Sequence, residues 1–218
     1  MDTSNLIQTV LIYALPVLFA ITVHEAAHGY AARHFGDNTA YMMGRITLNP
    51  FKHIDPIGTL LVPGLILLAS KALGGGLLFG WAKPVPVIAS NLRSPRRDMG
   101  LVAAAGPGAN LLMALGWGIA MKLVLVTGMA DEFFIRVAYA GILVNIALAV
   151  LNLVPLPPLD GGRIVTSLLP LRLAIPYSRL EPYGIFILLG LLATGLLGSV
   201  IAPMVQLGVG LVATILSL

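Results

Sequence analysis

The sequence predicts an all-α polytopic membrane protein, and three observations predict it. Of 218 residues, 58% are hydrophobic and only 10% charged, and the mean hydropathy is +0.94. A soluble domain carries about 25% charged residues. The apolar residues gather into runs long enough to cross a hydrocarbon core of about 30 Å, which takes roughly 20 residues of helix. The basic residues other than Lys122 and Arg136 fall between those runs, where cytoplasmic loops of membrane proteins collect them. The net charge of +4 and pI of about 9.6 therefore do not point to nucleic acid.

The elements follow in order. Leu6 to about Ala32 is the first expected span. The five residues before it lack the basic start and small-residue cleavage site of a secretory signal, so the run is expected in the mature protein. Residues 57–70 are apolar but short, with Pro63-Gly64 at their centre, and are expected to be re-entrant or surface-lying. Gly100 to about Val126 and Phe133 to about Val154 are full spans. Tyr183–Leu197 and Val200–Leu218 are expected to form a helical hairpin turning near Gly198. The sum is about five full transmembrane helices in a single domain over 1–218. Its catalytic core covers about 6–165, and its C-terminal hairpin about 183–218. Residues 39–48 carry β-favouring residues around a glycine. Residues 80–88 include Pro84 and Pro86, which push their predecessors to extended geometry. Both are expected as short membrane-associated β segments. No repeat or low-complexity tract is evident.

With no cysteine, any metal site must use His, Asp or Glu. The central motif is His24-Glu25-Ala26-Ala27-His28. Residues four apart share a helix face, so both imidazoles can reach one metal, and the adjacent Glu can deprotonate a water. At this composition the pattern is expected by chance on the order of 0.001 times. Ionisable groups on an apolar span are costly and mark functional sites. Two histidines leave zinc short of a third protein ligand. His34 has metzincin-like spacing, but Ala31 stands where that pattern needs glycine, and on a continuing helix His34 points away. His53 is weaker still. Asp160 is the stronger candidate. It follows Pro155, Pro157 and Pro158, which break an apolar span, and broken backbone at membrane depth lines a cavity or is buried in protein. Its alternative role is to cap the helix that restarts at Gly161.

The HExxH in a first core span and Pro-Leu-Pro-Pro-Leu-Asp-Gly-Gly-Arg ending a later one resemble the site-2 protease family of intramembrane metalloproteases, peptidase family M50. Ala105-Gly106-Pro107-Gly108-Ala109-Asn110 is similar to a third stretch of that family. The resemblance covers about residues 20–165. It implies His24, His28 and Asp160 as ligands of one Zn2+ per chain, and Glu25 as catalytic base. It further implies Asn110 and Asn152 at the substrate backbone or scissile carbonyl, and a transmembrane protein or peptide as substrate within the lipid bilayer. No PDZ or CBS domain is recognisable. The alternative is a membrane metal transporter or a metal-binding scaffold without proteolytic activity. A transporter has no need of Glu25 and usually shows repeated halves.

Ligands of one metal share one depth. The first span and 133–154 must then run in one direction, 100–126 must run oppositely, and 57–70 must not cross. All basic residues except Lys122 and Arg136 then fall on one side. That side is expected to be cytoplasmic, with the N-terminus outside a cell (inner) membrane.

Overall fold

The structure, a computed structural model, describes residues 3–56, 58, 82–128 and 131–218. Helix α1 spans Thr3–His34, and Arg33 and His34 in its last turn complement the helix dipole. After Gly36, at φ 113°, comes the single turn α2, Thr39–Met42. A 3-10 turn follows at Pro50–Lys52, where the Asn49 side chain accepts the Phe51 N–H. Residues 82–88 are extended and lead through a second 3-10 turn, Ala89–Asn91, into α3, Pro95–Val126. Helix α4, Glu132–Asn152, is capped by Asp131, which accepts the Phe133 N–H at 2.7 Å. Four more helices complete the chain: α5 (Asp160–Leu168), α6 (Leu171–Ser178), α7 (Glu181–Ala193) and α8 (Leu196–Leu216).

Among the described residues four helices, α1, α3, α4 and α8, are long and apolar enough to cross a membrane. The chain is a multi-pass membrane protein, and its described residues are helical without strands. Helix α7 does not provide the expected fifth span. Its 13 residues extend about 20 Å at 1.5 Å each, short of a 30 Å core. The hairpin turns at Gly195, whose φ of 75° suits glycine, and not at Gly198.

The β expectations are also corrected. Within 39–48 the Met42 and Met43 amides bond back to Asn38 and Thr39, closing a helical turn, and Gly44 at φ 63° reverses the chain. The described part of 80–88 is extended but forms no ladder. Pro84 and Pro86 have no N–H to give, the Val85 and Ile88 amides go to the side chains of Glu25 and Asp37, and the Lys83 amide goes to the His53 carbonyl. The expected segment at 57–70 lies outside the described residues, apart from Gly58.

Helices α1, α3 and α4 form the core. Ile12 packs with Val137 and Ala140, while Ala32 packs with Val102. Helix α4 therefore runs with α1, and α3 runs against both, as the shared-depth argument requires. Ala114, Ile142, Ile146 and Val212 form a second cluster that seats α8. Small residues let these helices approach without a hydrophobic drive between them. The Lys122 ammonium donates to the Leu216 carbonyl at 2.5 Å, so α8 ends level with the end of α3 and runs in its direction.

Candidate metal centre

Helix α1 carries His24 and His28 on one face, with Nε2 atoms 3.1 Å apart and rings edge-on. Asp160, the first residue of α5, brings Oδ2 to 3.2 Å from His24 Nε2 and 3.3 Å from His28 Nε2. All three residues are buried. The cap position of α5 is Leu159, so Asp160 does not serve as the helix cap. It sits in the first turn, where the helix dipole favours a carboxylate. The preceding loop is held by Tyr177, whose hydroxyl donates to the Pro155 carbonyl at 2.8 Å.

The histidine tautomers follow from their other ring nitrogens. His28 Nδ1 lies 2.7 Å from the Val102 carbonyl, which only accepts, so Nδ1 holds the proton. His24 Nδ1 lies 2.6 Å from Asn110 Oδ1 and donates likewise. In the neutral imidazoles both Nε2 atoms are then bare. Two nitrogen lone pairs and a carboxylate oxygen converge with no hydrogen between them, and Asp160 Oδ2 is buried without a hydrogen-bond donor. A divalent cation satisfies all three atoms at once. Two His and one Asp also suit zinc with an open fourth position for water. Gly106 of α3 makes room: a Cβ there meets His28 Nε2 and lies 2.6 Å from His24 Cε1.

Glu25 is half-buried beside this group, and its Oε2 accepts the Val85 N–H at 2.7 Å. Asn110 is 0% exposed and spends Nδ2 on the Ala20 carbonyl, at 3.2 Å, and on Asn145 Oδ1, at 2.9 Å. It stands behind His24. Asn152, half-buried at the end of α4, donates to the Leu148 carbonyl at 3.0 Å. Neither of the other histidines joins the group. His34 is exposed with its ring against Phe35, and His53 is buried with Nε2 donating to the Thr47 carbonyl.

Asp37 escaped the sequence reading. It is fully buried and ties three segments together: it accepts from the Thr39 hydroxyl and N–H, the Ile88 N–H and the Asn91 amide. Burial opposes its charge, but these bonds hold its carboxyl below the usual carboxylate value. The short-range bonds to Thr39 are a recognisable Asx turn. Its distant partners give no sequence signal.

Residues 119–194 match the model of peptidase family M50. The chain is 39% identical over 204 residues to YwhC of Bacillus subtilis (strain 168), a proposed zinc metalloprotease, covering 89% of this chain and 85% of that protein. It is 34% identical over 148 residues to Rip2 of Mycolicibacterium smegmatis, also a proposed zinc metalloprotease, covering 66% of this chain and 52% of that protein. The same identity holds over 170 residues with Rip2 of Mycobacterium tuberculosis (strain ATCC 25618 / H37Rv), covering 54% of that protein. The chain thus spans about half the length of the two Rip2 proteins. No solved structure matches it. A family match that spans Asp160, a relative 39% identical over 204 residues, and a buried metal-ready triad on apolar helices agree: the chain belongs to peptidase family M50, the intramembrane zinc metalloproteases of the site-2 type.

Proposed function

We propose that the chain hydrolyses peptide bonds in or near transmembrane segments of membrane proteins, with His24, His28 and Asp160 as zinc ligands and Glu25 as base. The observation that carries this is the convergence of three proton-free atoms within 3.3 Å beside a glutamate. Zinc, when bound, polarises the scissile carbonyl and acidifies a water. Glu25 takes the proton of the attacking water and returns it to the leaving amine. The Val85 N–H holds Oε2, which leaves Oε1 to accept that proton. Asn152, at the mouth of the broken span, is our candidate for the substrate backbone. We assign Asn110 to His24, since its amide is fully engaged there.

The charge distribution supports a cytoplasmic site in the cell (inner) membrane, with the N-terminus outside. Basic residues crowd the metal-side ends of the helices, and Lys122 and Arg136 stand at the far ends. A transporter or silent scaffold explains the triad but leaves Glu25 only its bond to Val85 and its second oxygen without a task. Cleavage of a transmembrane peptide by the full chain, with and without Glu25→Gln, decides between them. The expected result is a fall of about 10²-fold or more in kcat with zinc retained. Undiminished cleavage by Glu25→Gln sinks the mechanism, and a zinc-loaded wild type that cleaves nothing favours the rivals.

A further inference from the structure

We propose that Asn145 is a positioning residue of the metal centre, acting through Asn110 to fix which nitrogen of His24 is bare. Asn145 is 0% exposed in the middle of α4, 35 positions from Asn110 in sequence. Burying an amide there is costly unless its bonds are made, so its orientation is set by its partners. The first partner is the Gly141 carbonyl, 2.8 Å from Asn145 Nδ2. A carbonyl only accepts, so the nitrogen of Asn145 faces it and Oδ1 faces the other way. That oxygen lies 2.9 Å from Asn110 and only accepts, so Asn110 presents Nδ2 to it. The second hydrogen of the same Nδ2 goes to the Ala20 carbonyl at 3.2 Å. Asn110 Oδ1 is thereby turned to His24 Nδ1 at 2.6 Å, which must donate. The proton is placed on Nδ1 and the lone pair on Nε2 faces the site.

A single polarity thus runs from the backbone of α4 through two amides to one imidazole. Reversing any link sets oxygen against oxygen or nitrogen against nitrogen. Without the Asn145 acceptor, only the Ala20 carbonyl opposes a flip of Asn110. The flipped amide offers an N–H to His24 Nδ1 and drives the proton onto Nε2, where it blocks a metal. Outer partners of metal-binding histidines typically change affinity 10–100-fold. Asn145 acts one residue further out, so the lower end of that range applies.

The proposal rests on His24 being a metal ligand, and the test separates the two claims. Zinc affinity of the detergent-solubilised full chain is measured by chelator competition, and the protonated nitrogen of His24 is read by 15N NMR on metal-free protein. Asn145→Leu, similar in volume but without an acceptor, is expected to weaken zinc about tenfold and to mix the His24 tautomers. Asn145→Asp keeps an acceptor oxygen in either protonation state and is expected to hold both readouts near wild type. Unchanged readouts in Asn145→Leu, or equal losses in both variants, overturn the role of Asn145. So does a proton on Nε2 of His24 in metal-free wild type, a measurement that does not depend on any variant folding. His24→Ala retaining full zinc affinity instead overturns the ligand assignment beneath it.

Discussion

A missing side chain matters as much to the metal centre as those present. Gly106 sits in the interior of α3, where alanine improves helix propensity by about 1 kcal/mol. Propensity alone therefore favours Gly106→Ala. The added methyl enters the space of both imidazoles, lying 2.6 Å from His24 Cε1, and is relieved by displacing the imidazoles or by moving α3 away from α1. We expect Gly106→Ala to keep its helicity by circular dichroism and to lose at least tenfold in zinc affinity, a shift of about 1.4 kcal/mol. At this scale legibility depended on sequence distance. His24, Glu25 and His28 were readable because their geometry is one turn of helix. Asp160 was readable because three prolines announce a break in an apolar run. The contact of the Asn110 amide with His24 is not legible, because the sequence does not show which helix it packs against. Asn145 and Asp37 gave no warning, since their decisive partners lie 35 and 51 positions away.

Among elements, the segment 82–91, extended as far as Ile88, has the most to explain. It is neither strand nor free loop but a strap fastened by side chains. Glu25 takes Val85, Asp37 takes Ile88 and Asn91, and Arg45 donates to the Lys83 carbonyl at 2.9 Å. The alternation of prolines was legible, and extended geometry followed from it. Its fastening was not, because an unpaired strap needs partners from three distant turns. Asp37 is the strongest knot. In Asp37→Asn an amide nitrogen must face donors, so we expect a loss of about 1–3 kcal/mol, measured by hydrogen exchange at the Ile88 amide. The acid dependence has a definite sign. A carboxyl held below its usual value in the folded state stabilises fully above the ordinary carboxylate range, and that stability is lost as pH falls through the lowered value. The wild-type advantage over Asp37→Asn should therefore be complete near neutrality and vanish in strong acid.

For the whole molecule, apolar runs announced the spans of the core, but counting apolar residues cannot see where a helix ends. The turn at Thr194-Gly195 comes three residues before the one expected near Gly198, leaving α7 too short to cross alone. The lack of any cysteine makes the topology directly measurable. Arg136 and Arg172 are exposed at opposite ends of the bundle. An impermeant thiol reagent should label Arg136→Cys in intact cells, and Arg172→Cys only after permeabilisation. The reverse pattern overturns the orientation, and labelling of both from one side overturns the span count. The distribution of ligands along the chain also bears on biosynthesis. His24 and His28 enter the membrane with α1, while Asp160 emerges only after α3 and α4 have been synthesised. A half-made chain holds two imidazoles and a glutamate but lacks Asp160, the third of the proposed ligands. A nascent protease of this design therefore stays chemically silent toward neighbouring helices at the insertion site until its own core has been assembled.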